Sequence, residues 1–207
     1  MNGRAYKVML YVGCVLGVYA GAAVADEKGL DPSRFALVTI ALLIPAFVGA
    51  RVWFVVRHGP VSGLLDRSQG GAGLFGGLVL AIVVSAPVLQ LAQLPFWTFW
   101  DAASITMLVG LIFTRFGCLM NGCCAGRSTE SWLGIVLPDT TGTRRRRYPA
   151  QLLEAGFAAL LLVIAIAVRN TVAGGVVFAG VVVLYCCGRL ILEQLREPVV
   201  VATPVGR

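Results

Sequence analysis

Long apolar stretches with few charged residues account for most of the chain. A helix that crosses a bilayer needs about 20 mostly apolar residues, and six segments reach or approach that length. The runs lack a two-residue alternation, which favours helices over a β-barrel. We predict an all-α fold, a polytopic integral membrane helical bundle in which residues 1–207 form a single membrane domain. Its six transmembrane helices are expected near 6–25, 34–56, 71–93, 97–120, 149–168 and 173–195.

The connection at residues 121–148 is the longest between the predicted helices. It contains Trp132, an apolar stretch at 134–137 and four consecutive arginines at 144–147. Loops of this length in a compact bundle are usually functional or disordered. Because its apolar residues can pack, we expect the 121–148 loop to form a small ordered cap.

Composition agrees with a membrane protein and excludes a soluble domain. Hydrophobic residues make up 58% of the chain and charged residues only 13%, too few to cover a soluble surface. The net charge is +7. Basic residues in membrane proteins commonly set orientation or contact anionic headgroups, so we expect a membrane partner and no nucleic acid.

Two features of topology have competing interpretations. Arg4 and Lys7 precede an apolar run that ends in small residues before Asp26, which fits a cleavable signal peptide as well as a first membrane helix. Both termini and the loops at 57–70 and 121–148 share one side and carry most basic residues. The positive-inside rule places that side in the cytoplasm.

Ionisable residues inside predicted spans are expensive and by default indicate a functional site in the bundle interior. Arg115 lies 14 residues after Asp101, about 21 Å along a helix, so these two side chains lie near opposite ends of one span. The residues of this kind are Arg51, Asp101, Arg115, Glu154, Arg189 and Glu193.

The last span places Tyr185, Arg189, Glu193 and Arg196 on one helical face, because they are spaced by four, four and three residues. One interpretation is an internal ion pair between Arg189 and Glu193, with Arg196 reaching the interface. The other is an anion site in which Glu193 orients Arg189 for bidentate phosphate binding. Arg115 on another helix would then complete a clamp.

Glycines and cysteines also leave alternatives open. Gly70, Gly71, Gly73, Gly76 and Gly77 allow either close approach of a phospholipid or helix packing. The segment 115–127 reads RFGCLMNGCCAGR. Its cysteine spacing differs from that of structural zinc sites, and His58 is the only histidine, so we predict no metal. Cys118, Cys123 and Cys124 could have a thiol role near arginines, or could simply pack. Cys14, Cys186 and Cys187 lie in apolar runs and fit small core residues.

The same segment resembles the signature GRxGNFxNGExxGR of the prolipoprotein diacylglyceryl transferase family. Arg115, Gly117, Asn121, Gly122, Gly126 and Arg127 match it in register. Further matches are GAR at 49–51, the glycine pair of HGG at 76–77, WG and HPxQLYE at Trp132, Gly134, Pro149, Gln151 and Glu154, and YGxxRFxxExxRxP at Tyr185, Arg189, Glu193, Arg196 and Pro198. Tyr6 lies where the family has a functional tyrosine, which favours a retained first helix.

The chain departs from the family pattern at several positions. Phe75 replaces the histidine of HGG, Cys118 and Cys123 replace the Asn and Glu of the signature, and Tyr148 replaces the histidine before Pro149. The family's usual helix after the YGxxR segment has no counterpart before Arg207.

The resemblance implies a reaction in which a lipoprotein-precursor thiol displaces the phosphate of phosphatidylglycerol, in the cytoplasmic membrane of a bacterium. It also implies that the 121–148 loop faces outward, against the charge rule. No cofactor is implied. A non-catalytic phospholipid-binding paralogue and a membrane thiol redox protein are the alternatives. The implied catalytic set is Arg115, Arg189, Glu193 and Asn121, and the substrate-binding set is Tyr6, Arg51, Gly76, Gly77, Gly126, Arg127, Glu154, Tyr185 and Arg196.

Overall fold

A computed structural model describes residues 3–58, 74–138 and 143–195. Over these ranges six helices and one small hairpin follow the chain, which confirms the predicted all-α fold class. Of the sequence predictions, those on Gly70, Gly71, Gly73 and Arg196 lie outside the described residues. The elements are α1 (Gly3–Glu27), α2 (Pro32–His58), α3 (Leu74–Leu91), α4 (Phe96–Asn121), β1 (Ile135–Pro138), β2 (Arg144–Arg147), α5 (Ala150–Val168) and α6 (Val176–Glu193).

Five of the helices in the described part of the chain are long and apolar enough to cross a membrane, namely α1, α2, α4, α5 and α6. The described part of α3 is apolar but shorter, over Phe75–Leu91. Large apolar side chains such as Tyr19, Ile44 and Val163 are mostly exposed on the helices. Helices that are apolar all round, with outward-facing apolar side chains, fit a lipid environment.

Glycines bring α1 close to α4. Gly13, Gly17 and Gly21 are all buried and repeat every four residues along one face of α1. A methyl group at Gly17 would lie 2.7 Å from the carbonyl oxygen of Thr106. This packing of small residues is the usual way in which membrane helices approach one another.

A second close contact joins α2 and α3. Gly49 on α2 faces Gly76 on α3, and a methyl group at Gly77 would lie 2.6 Å from the carbonyl oxygen of Ala46. Gly76 and Gly77 therefore serve helix packing, which is one of the two interpretations that the sequence left open. Their role in substrate binding stays a prediction.

Asp101 has a structural explanation. Its carboxylate is 2% exposed and accepts hydrogen bonds from the backbone N–H groups of Gly175, at 2.8 Å, and Phe178, at 2.9 Å. These donors belong to the first turn of α6, where helices have unsatisfied N–H groups and a positive dipole end. Asp101 of α4 thus caps a different helix, and its charge needs no ligand.

The connection between α4 and α5 is ordered over its described residues. β1 and β2 form an antiparallel hairpin with Ile135 opposite Arg147 and Pro138 opposite Arg144. The N–H of Thr129 donates to the carbonyl of Arg146 at 3.0 Å and extends this pairing. The predicted small cap is confirmed, and its exposed surface carries both Trp132 and arginines of β2.

Candidate functional site

A buried carboxylate joins three helices at the capped end of the bundle. Glu154 is 1% exposed and lies in the second turn of α5. One of its oxygens contacts Nε of Arg115 near the end of α4, and the other contacts Nη1 of Arg189 on α6. Arg189 also pairs through Nη2 with Glu193, at 2.9 Å. Two of the three charges predicted to act together, Arg115 and Arg189, therefore share one partner.

Burial explains why these groups are paired. The side chains of Arg115 and Arg189 are only 14% and 18% exposed, and a charge so far from water is costly unless an opposite charge lies beside it. Two arginines and two glutamates sum to zero charge. The hydroxyl of Tyr185 lies beside Arg115, and its ring stacks on Phe157 with 6.4 Å between centroids.

The predicted role of Glu193, to orient Arg189, agrees with the structure only in part. It pairs with Arg189 over one helical turn, but its side chain is 58% exposed. The buried partner that fixes the guanidinium is Glu154, which the sequence placed among substrate-binding residues. An exposed (i, i+4) pair contributes little orientation energy, so Glu154 is the stronger positioning residue.

The loop after α4 crosses the end of α6 at Gly126. The N–H of Gly126 donates to the carbonyl of Tyr148 at 3.0 Å, and that of Arg127 donates to the carbonyl of Leu195 at 2.8 Å. A methyl group at Gly126 would lie 2.6 Å from the carbonyl oxygen of Tyr148. Only glycine fits this crossing, which holds the loop, α6 and the start of α5 together around Glu154.

Three cysteines meet where α4 ends. Gly122 takes a left-handed conformation with φ 69°, and the N–H of Cys123 donates to the carbonyl of Cys118 at 3.1 Å. This is the Schellman arrangement, which folds the residue after the glycine back onto the last turn. Cys124 has φ 62°, which is unusual for a residue with a side chain. The sulfur atoms of Cys118, Cys123 and Cys124 lie within 4.8 Å of one another.

The environment of Cys123 opposes a simple nucleophilic role. A hydrogen bond with Cys118 lowers the pKa of this thiol, but a hydrogen bond with Cys124 and burial outweigh it and raise the pKa above its ordinary value. Thiolate is the reactive form of cysteine. The surroundings of Cys123 therefore favour its neutral thiol.

Residues at the ends of α1 and α4 complete this part of the site. Tyr6 packs on Gly117, where a methyl group would lie 3.2 Å from its ring. Its phenol interacts electrostatically with the three clustered thiols and with Arg115. Asn121 is the last residue of α4 and hydrogen-bonds Cys123.

Arg51, Gly76 and Gly77 belong to a second group of candidate residues on α2 and α3. The guanidinium of Arg51 lies over the ring of Phe54, 5.8 Å from its centroid. Phe75, at the position of the family histidine, is 41% exposed at the start of α3. α2 packs against α1 and α3, whereas the Glu154 cluster is built from α4, α5 and α6.

Gln151 lies in the candidate site, although the sequence prediction named it only as a match to the family's HPxQLYE segment and assigned it no role. It is 2% exposed, and its Nε2 donates to the carbonyl of Cys123 at 2.7 Å. Gln151 lies three residues before Glu154, so one helical face of α5 holds both the arginine pair and the cysteine loop. Its match to the HPxQLYE segment, and its position as a polar residue in the first turn of an apolar helix, were the available signals.

Comparison with known proteins matches nearly the whole sequence to one family. The prolipoprotein diacylglyceryl transferase family model matches residues 1–205. The phosphatidylglycerol–prolipoprotein diacylglyceryl transferase of Tropheryma whipplei is 30% identical over 86% of this chain and 74% of that protein. The protein of the same name from Rickettsia bellii is 28% identical over 93% of this chain and 78% of that protein. For the protein of that name from Rhodopirellula baltica, identity is 30% over 62% of this chain, but the match spans only 28% of that longer protein.

Proposed function

Because the chain belongs to the prolipoprotein diacylglyceryl transferase family, we propose that it is a transferase that moves a diacylglyceryl group from phosphatidylglycerol to the cysteine thiol of a lipoprotein precursor. The observation that carries this proposal is the meeting of Arg115 and Arg189, from two helices, on the buried Glu154. We place the protein in the cytoplasmic membrane of a bacterium, since the relatives are bacterial. The cap would then lie on the outer face of that membrane.

The arginine pair would bind the phosphate that leaves. Arg115 meets Glu154 through Nε, so its terminal amino groups form a planar fork suited to phosphate oxygens. The acceptor sulfur bonds to the glyceryl carbon while the carbon–oxygen bond to phosphate breaks. Charge grows on the departing glycerol phosphate, and fixed cations in a water-poor site stabilise it. Tyr6 and Asn121 would hydrogen-bond polar oxygens of the substrate.

The test is a transfer assay with the purified full chain, radiolabelled phosphatidylglycerol and a lipoprotein-precursor peptide. We expect label on the cysteine peptide and none on a peptide with serine in its place. Arg189→Lys keeps the positive charge but loses the planar fork, so transfer should fall by about 100-fold or more.

Arg169 provides a matched control for that variant. It also pairs with a glutamate, Glu27, at 2.9 Å, but at the opposite end of the bundle. Arg169→Lys should therefore transfer at the wild-type rate. Full transfer by Arg189→Lys would contradict the arginine clamp, and bound phosphatidylglycerol without any transfer would instead support the non-catalytic paralogue.

A further inference from the structure

We propose that Cys118, Cys123 and Cys124 bind one thiophilic cation of the Zn²⁺ type, and that this cation holds the acceptor thiol in its remaining coordination position. The first half concerns the three cysteines alone, while the second half rests on the proposed transferase function. It revises the expectation, drawn from spacing, that this segment binds no metal.

The geometry of the cysteine cluster suits a metal. Zinc–thiolate bonds of about 2.3 Å place ligand sulfurs roughly 4 Å apart, and the three sulfurs here lie within 4.8 Å of one another. Small side-chain rotations close that difference. Soft thiolate ligands select Zn²⁺ or Cu⁺ over harder cations.

Backbone conformation brings the ligands together independently of any ion. The helix end at Gly122 returns Cys123 to Cys118, although spacing alone does not match the usual paired zinc ligands. Cys124 holds a left-handed φ of 62°, which is unfavourable for a residue with a Cβ. Such backbone conformations persist where surrounding structure maintains them, and they cluster at functional sites.

Three protein ligands leave a tetrahedral cation one open position, as in catalytic zinc sites. Cys118 is buried in the bundle at 4% exposure, whereas Cys124 is exposed. A substrate can therefore approach from the Cys124 side. Gln151 holds the loop by its hydrogen bond to the Cys123 carbonyl.

Charge links this cluster to the arginine pair. Arg115 lies three residues before Cys118 on α4, and its guanidinium interacts electrostatically with the sulfurs of Cys118 and Cys124. Three thiolates and Zn²⁺ carry a net charge of −1, and the guanidinium of Arg115 lies near that charge while it keeps its ion pair with Glu154. A phosphate at Arg115 would lie next to a thiol on the cation.

The cation would also help to remove the proton of the acceptor thiol. No histidine is available for this task at the position of the family's HGG histidine, because Phe75 occupies it. A thiol that binds Zn²⁺ loses its proton to water. The resulting sulfur forms the bond to the glyceryl carbon, the carbon–oxygen bond breaks, and its electron pair leaves with glycerol phosphate. The thioether product is neutral and binds the cation weakly, which permits release.

Metal binding is measured first, without any transfer reaction. The purified full chain is stripped with chelator under reducing conditions, dialysed against Zn²⁺ and then metal-free buffer, and its zinc content determined. We expect about one zinc per chain, lost in Cys118→Ser and Cys123→Ser. The matched controls Cys14→Ser and Cys187→Ser, from cysteines outside the cluster, should retain zinc. Wild-type protein without zinc, or zinc retained by both cluster variants, overturns the proposal.

The acceptor position is tested in the Co²⁺ form by thiolate-to-metal charge-transfer absorption. A cysteine precursor peptide should increase this absorption, and the serine peptide should not. An unchanged spectrum, or transfer at an unchanged rate after chelator stripping, overturns this role for the metal while leaving the transferase function intact. A spectral response without transfer in any metal form supports the site and counts against the transferase function instead.

Discussion

At the scale of single residues, burial decides which charges are held firmly. Glu154 is almost fully buried and contacts two arginines, whereas Glu193 is largely exposed and contacts one. Asp101 is also buried, yet it caps α6. An ionisable residue in a membrane helix therefore indicates a specific partner, which can be a backbone N–H group as well as a substrate.

Replacement of Glu154 should expose this dependence. Glu154→Gln leaves two buried guanidinium groups with less negative charge, so we expect a loss of about 3–5 kcal/mol in stability and a lower melting temperature in detergent. Glu27→Gln, in the exposed pair with Arg169, is the control and should melt close to wild type. Similar melting of both variants would show that Glu154 does not hold the arginines together.

At the scale of elements, glycines determine which helix faces meet. α1 and α4 approach through Gly13, Gly17 and Gly21, and α2 and α3 approach through Gly49, Gly76 and Gly77. Without a hydrophobic driving force between helices in lipid, close backbone contact supplies much of their association. The α1–α4 contact also places Tyr6 beside the cysteine cluster.

Glycine variants should separate packing positions from open ones. Gly17→Ala and Gly77→Ala insert a methyl group against backbone oxygens, so we expect them to lower stability by about 1–3 kcal/mol. Gly156 and Gly180 have open space where a Cβ would be. Their alanine variants should therefore be about 0.5–1 kcal/mol more stable, because alanine loses less backbone conformational entropy on folding than glycine does. Thermal unfolding in one detergent compares all four, and equal melting within the set would contradict these helix contacts.

At the scale of the whole molecule, the two ends of the bundle differ in chemistry. One end holds the cap, the arginine pair and the cluster of Cys118, Cys123 and Cys124. The other holds an ion pair between Glu27 and Arg169, and a hydrogen bond from Lys28 Nζ to the Arg169 carbonyl, at 2.8 Å. The proposed location of the basic cap at an outer face conflicts with the positive-inside rule, but exposed arginines on β2 can contact anionic headgroups instead.

For the intact molecule, we therefore predict its orientation in the membrane. With the cap outside, Glu130→Cys should react with a membrane-impermeant maleimide on intact cells, above the labelling of the unsubstituted chain. Thr171→Cys, in the turn at the opposite end, should react only after permeabilisation. Both positions are exposed, so accessibility in the folded chain is matched. The reverse labelling pattern would show that the positive-inside rule, and not the family resemblance, gives the correct orientation of this protein.

The sequence alone determined the helical membrane fold and the family, because apolar run length and motif order along the chain carry both. It also determined which charges lie inside the helices. It could not determine partners between helices, since periodicity identifies residues on one helix face but not the face that packs against it. Only the tertiary structure showed that Arg115 and Arg189 meet at Glu154 and that Asp101 of α4 caps α6. It also showed that the geometry of a helix end brings three cysteines together, which ligand spacing does not predict.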